Sequence, residues 1–123
     1  MFNVSYNGII TVNRGDSFTA VMALNAGNEL NPIEYEMTPD SFVYFAVMEP
    51  NQPFEDAILK KKLDIDDMND NGDIVINFKP QDTQCLLPGR YYYQVKLQVC
   101  DPDDYSKYEV HTIIDKTQFF ILE

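Results

Sequence analysis

Apolar and polar residues alternate along much of the chain. In Gly-Arg-Tyr-Tyr-Tyr-Gln-Val-Lys-Leu-Gln-Val-Cys, residues 89–100, one face of an extended strand collects Tyr91, Tyr93, Val95, Leu97 and Val99. The other face collects Tyr92, Gln94, Lys96, Gln98 and Cys100. Alternation of this length marks a half-buried antiparallel strand. Ile74, Ile76 and Phe78 alternate with Val75, Asn77 and Lys79, and Phe18, Ala20, Met22 and Leu24 share one side of residues 17–25. Residues 42–49 differ. Val43, Phe45 and Val47 lie on one side, yet Tyr44, Ala46 and Met48 opposite are apolar too. That strand is expected to be covered on both faces, or to offer its second face for docking.

The pattern predicts strands at 2–6, 9–13, 17–25, 42–49, 57–63, 73–79, 90–100, 107–114 and 117–122. Turn residues separate them: Asn7-Gly8, Arg14-Gly15-Asp16, Asn71-Gly72, Pro88-Gly89 and Asp101-Pro102-Asp103-Asp104. Residues 26–41 read as a long polar connection between sheets, and Pro80–Leu87 as one short helical turn at a corner. Short strands with regular turns in 123 residues point to a single all-β domain over 1–123, an antiparallel two-sheet sandwich of about seven to nine strands. The Leu87-Pro88-Gly89 turn runs straight into an aromatic strand. In immunoglobulin-like and fibronectin-like sandwiches a tyrosine at this place bonds back to the preceding corner, a role open to Tyr91 or Tyr93.

Composition adds limits. Eight Tyr, eight Phe and no Trp favour strands over helices. Twenty acidic against nine basic residues give a formal net charge of −11, which repels phosphate backbones and anionic membranes. Neither nucleic acid nor membrane is therefore expected as a partner. No stretch approaches the roughly 20 apolar residues of a membrane span. No basic segment followed by an apolar block opens the chain, so synthesis in a reducing cytoplasm is expected, with Cys85 and Cys100 as free thiols.

Candidate chemistry is sparse. Asp67, Asn69, Asn71 and Gly72 occupy positions 1, 3, 5 and 6 of a calcium-loop pattern, but position 12 is Phe78 where a bidentate Glu belongs. A polar hairpin loop is the better reading, with weak cation binding by Asp64, Asp66, Asp67, Asp70 and Asp73 as the alternative. His111 is the only histidine, so a multi-histidine zinc site is excluded, and any triad would need it as base. No glycine-rich phosphate loop occurs, and no enzyme activity or cofactor is expected. Lys60, Lys61 and Lys62 read as protection of an exposed strand edge. Arg14-Gly15-Asp16-Ser17 is an adhesion tetrapeptide by sequence, but a turn between two strands explains it. Partner contacts are expected at Tyr44, Tyr92, Tyr105 and Tyr108, because tyrosine is enriched at interfaces.

Four patterns occur in order: Gly15-Asp16-Ser17-Phe18 opening a strand, Asn71-Gly72-Asp73 opening a middle strand, Leu87-Pro88-Gly89-Arg90-Tyr91-Tyr92-Tyr93-Gln94-Val95, and a closing Gln118-Phe119-Phe120-Ile121-Leu122-Glu123. Over most of residues 9–122 this order resembles the N-terminal domain of phage baseplate upper proteins, an immunoglobulin-like β-sandwich. The resemblance implies a virion structural role, in which such a domain anchors a receptor-binding fibre to the tail or baseplate. Among residues 1–123 no coiled-coil or fibre pattern is read after the sandwich. The expectation is therefore an adaptor or a decoration module of tail, baseplate or capsid, held in many symmetric copies by other virion proteins. A carbohydrate- or receptor-binding sandwich is the alternative.

Overall fold

The computed structural model describes residues 3–4, 8–22, 25–27, 32–34, 37–70 and 72–123. The chain is all-β. Its strands are β1 (Asn3–Val4), β2 (Ile10–Asn13), β3 (Phe18–Met22), β4 (Asn25–Gly27), β5 (Pro32–Glu34), β6 (Ser41–Met48), β7 (Leu59–Leu63), β8 (Ile74–Phe78), β9 (Gly89–Asp101) and β10 (Asp104–Leu122). Among the described residues, six strands form one sheet in the order β1-β2-β10-β9-β6-β7. β3 pairs with β8 in a second sheet, and β4 with β5 in a small ribbon.

The inward faces are those the alternation marks. Tyr91, Tyr93, Val95 and Leu97 of β9 pack with Val43, Phe45 and Val47 of β6 and with Ile74, Ile76 and Phe78 of β8. Phe78 stacks on Phe18 at 4.3 Å within the small sheet and meets Phe45 edge-on at 5.3 Å across to the large one. Phe45 in turn stacks on Tyr93 at 5.4 Å, and Tyr93 meets Phe119 edge-on at 6.3 Å. This aromatic chain joins both sheets on one core, the packing of a β-sandwich.

Three features depart from the expected strands. Residues 107–114 and 117–122 belong to one strand, β10, whose register against β9 slips between Thr112 and Ile114 and again between Ile114 and Thr117. These bulges let Ile113 and Ile114 both pack against the core, which breaks the alternation and makes one strand read as two. The 26–41 connection contains the β4–β5 ribbon, while residues 23–24, 28–31 and 35–36 lie outside the described set, as do residues 2, 5 and 6 of the first expected strand. The sandwich is also not wholly antiparallel, because β2 runs parallel to β10, Ile10 to Asn13 beside Phe119 to Leu122. Almost the whole chain separates these two strands, so no tight turn imposes the antiparallel sense.

The corners are held by side chain to backbone bonds. The Pro80–Thr83 helical turn forms where expected. Tyr91 Oη donates to the Leu87 carbonyl at 2.6 Å, closing the corner ahead of β9. Tyr93 Oη donates instead to the carbonyl of Gly8. Gly8 has φ +87, and a Cβ there would sit 3.2 Å from that hydroxyl, so the approach requires glycine. Arg14-Gly15-Asp16-Ser17 is a tight turn between the sheets: Asp16 N–H donates to Asn13 O, and Gly15, at φ +81, donates to buried Thr83 Oγ1 at 2.9 Å. Arg14 N–H donates to Leu122 O at 2.7 Å. The tetrapeptide is thus bound to the body of the fold on both sides of its glycine.

β7 ends the large sheet, and its lysines divide. Lys60 and Lys62 face outward, while Lys61 turns inward to pair with Asp82 at 2.8 Å and lie 5.3 Å from the Phe78 ring centre. An inward charge on an end strand discourages pairing with another chain. Burial would raise the Asp82 carboxyl, but hydrogen bonds from the Lys61 side chain and the Lys79 amide, with the charge of both lysines, hold it below its usual value.

Two outcomes follow. Tyr91→Phe removes the corner bond while keeping the ring, and is expected to lower unfolding free energy by about 1 kcal/mol in urea titration. Burial pushes Tyr93 up to about 12. The fold therefore favours the neutral phenol, and that stability is complete below the ordinary tyrosine pKa of about 10. It is lost as pH rises from there through about 12. Alkaline denaturation followed by circular dichroism should show this slope, and Tyr93→Phe should flatten it.

Candidate interaction face

Register places the outward side chains of the large sheet in rows. Lys62, Tyr44, Lys96 and Thr112 form one row across β7, β6, β9 and β10. Phe42, Gln98 and Val110 form the next, and Met48, Tyr92 and Gln118 lie nearer the opposite end. Ala46 and Met48 on this outward side are fully buried. The connection from β6 to β7 crosses this face and includes one 3-10 turn, Phe54–Asp56.

Lysines from three strands pin that crossing. Lys116 Nζ donates to Gln52 O at 2.8 Å, Lys60 Nζ donates to Glu55 O at 2.6 Å, and Lys96 Nζ lies 4.6 Å from the Phe54 ring centre. A shallow groove of ≈ 250 Å³ remains beside it, lined by Tyr44, Phe54, Glu55, Lys96, Gln98, Tyr108 and Val110. Tyr108 and Val110 are more than half exposed, at 56% and 51%. Lys62 Nζ lies 4.3 Å from the Phe42 ring centre and 5.9 Å from that of Tyr44. Cations held over aromatic faces keep both groups at the surface without a carboxylate partner.

The four expected tyrosines share this face but not one pocket. Tyr44 and Tyr108 line the groove together. Tyr105 stands beside it, edge-on to Phe42 at 6.2 Å, with its hydroxyl donating to Asp40 Oδ1 at 2.5 Å. That bond to a carboxylate raises the Tyr105 phenol above its ordinary value, with desolvation and the Asp40 charge adding to it. Tyr92 lines a second depression with Pro50, Asn51, Arg90 and Lys116, and the Arg90 guanidinium lies 5.9 Å from its ring centre. Phe54 and Val110 were not among the expected contacts. A lone phenylalanine after a proline in a polar loop is the one hint for Phe54, and Val110 reads as an ordinary strand residue.

The half calcium pattern is occupied by backbone bonding. Asp67 Oδ2 accepts from Asp64 N–H at 2.9 Å, and Asp64 Oδ1 accepts from Asp66 N–H at 2.9 Å. Asn69 Oδ1 accepts from Asp73 N–H at 3.0 Å, and Asn71 lies outside the described residues. Among the described residues no three His, Cys, Asp or Glu side chains gather as a metal-binding group. The loop is also not a plain hairpin, because β7 belongs to the large sheet and β8 to the small one. Only an isolated bridge between Met68 and Ile74 closes it locally. In the 101–104 turn, Asp101 Oδ1 accepts from Asp103 N–H, and Asp104 Oδ1 accepts from both Ser106 N–H and Ser106 Oγ. His111 Nε2 lies 3.4 Å from Glu109 Oε2. Cys85 is exposed and Cys100 buried, both as free thiols.

No family model, curated protein or solved structure matches the chain. The Tyr105 arrangement can be checked directly. Asp40→Ala should return the Tyr105 ring titration, followed by NMR, toward the ordinary tyrosine range, while the wild type titrates higher.

Proposed function

We propose that this protein is a non-enzymatic structural protein of a bacteriophage virion, an immunoglobulin-like adaptor or decoration module that holds other virion components. It would be made in the host cytoplasm and retained in the particle in multiple symmetric copies, without nucleic acid, membrane or cofactor. The observation that carries the reading is the outward face of the large sheet, where Tyr44, Phe54, Tyr108 and Val110 form an aromatic groove on a strand framework. Exposed tyrosine ringed by polar side chains is the composition of a protein interface.

Two further features support the immunoglobulin-like part. β10, β9, β6 and β7 lie side by side across the core from β3 and β8, as strands G, F, C and C′ lie across from B and E in that architecture. The Tyr91 bond to Leu87 closes the same corner that a tyrosine closes there. The sequence resemblance supplies the virion setting.

A second reading draws on the same groove. Rings of Tyr44, Phe54 and Tyr108 beside Gln98 and Glu55 offer a stacking surface with polar groups at its rim, which also suits a sugar. A glycan array separates the two, since selective glycan binding favours the second reading.

Immunogold labelling of purified particles tests the first, and unlabelled particles would overturn it. Tyr108→Ser with Val110→Ser should reduce incorporation several-fold. Because both side chains are more than half exposed, stability should change by no more than about 0.5 kcal/mol in thermal melts.

A further inference from the structure

Charge is distributed unevenly over this acidic molecule. Five of the nine basic side chains, Lys60, Lys62, Arg90, Lys96 and Lys116, belong to the outward face of the large sheet or its rim. Three of them, Lys62, Lys96 and Arg90, lie against aromatic rings rather than carboxylates. Glu55, Asp115 and Asp40 are acidic side chains placed near them; Asp115 accepts from Gln94 Nε2 at 3.0 Å, and Asp40 accepts from Tyr105, which packs against Phe42.

The carboxylates concentrate elsewhere. Strand register sets Ser41, Leu63 and Val99 at one end of the sheet. Two loops leave from that end. One carries Asp64, Asp66, Asp67, Asp70 and Asp73, and the other carries Asp101, Asp103 and Asp104. Asp66, Asp70, Asp101, Asp103 and Asp104 are exposed. The molecule thus has a strongly acidic end, which also carries Lys107, adjoining a face of lysine and aromatic side chains.

We propose that copies of this chain associate head to tail, the acidic end of one docking on the lysine–aromatic face of the next. Both complementary surfaces are present on every copy, so each bound copy offers a fresh face and a fresh end. Such a heterologous contact closes into a ring or continues as a stack, according to its rotation. The net charge of −11 opposes association at long range, but salt at about 0.15 M screens beyond about 8 Å. The local lysine–carboxylate contact then sets the orientation. The inference rests on the interface reading of this face, and it names the second copy as a partner.

Sedimentation velocity of the full chain tests it. The wild type should show species heavier than a monomer that grow with protein concentration. Lys62→Glu with Lys96→Glu, and separately Asp66→Lys with Asp103→Lys, should each sediment as monomers. An equimolar mixture of the two double variants should restore assembly, because the unchanged end of the face variant fits the unchanged face of the end variant, and the reversed end fits the reversed face. Both variants keep a negative net charge, so bulk attraction cannot produce that result. Lys79→Glu, away from both surfaces, should leave wild-type assembly unchanged. If charge reversal unfolds the face variant, Lys62→Gln with Lys96→Gln should still weaken assembly at least several-fold. A wild type that stays monomeric at every concentration, or a mixture that stays monomeric, overturns the proposal. Neither result bears on immunogold labelling of virions, so this inference and the virion reading fail separately.

Discussion

The contact between Phe45 and Phe78 is the point on which the fold depends. Phe45 belongs to the large sheet and Phe78 to the small one, and their edge-on packing at 5.3 Å spans the space between. From there the rings of Phe18, Tyr93 and Phe119 extend the contact in both directions. A two-stranded sheet is marginal on its own in water, so β3 and β8 need the large sheet to persist. Phe45 is fully buried and Phe78 is only 2% exposed, so truncating either would leave a cavity that neighbouring strands cannot easily fill.

With the sheets joined, polar bonds at the corners set how the chain enters and leaves them. Tyr91, Tyr93 and Thr83 each meet a backbone partner, at Leu87, Gly8 and Gly15. These partners come from different loops, so the bonds tie the beginning of the chain to its middle. The parallel pairing of β2 with β10 then ties the beginning to the final strand. Among the described residues, no buried side-chain polar atom lacks a partner, as a small core with few polar groups requires.

The outward face follows from the same economy of charge. Lys60 and Lys116 donate to carbonyls of the crossing segment, while Lys62 and Lys96 lie over rings. The lysines therefore hold the segment against the outward face and still leave positive charge at the surface. Five of the nine basic side chains of this acidic protein gather on one face or its rim.

Alternation alone determined the inward residues of β6, β8 and β9, because a period of two leaves each side chain only two places to point. Turn chemistry located the Pro80–Thr83 helical turn, the Arg14–Ser17 turn and the tyrosine corner, since each depends on residues close in sequence. It could not choose between Tyr91 and Tyr93: the corner needs a carbonyl four residues upstream, whereas Tyr93 found one 85 residues away. The single strand of residues 104–122 was hidden by two bulges that place Ile113 and Ile114 on the same side. Sequence alone set Tyr44 and Tyr92 at outward strand positions and Tyr105 and Tyr108 beside the acidic turn. Their division between two depressions, and the place of Phe54 among them, was not legible there. Both depend on a loop folding back over a sheet, a contact between residues distant in sequence that no local pattern encodes.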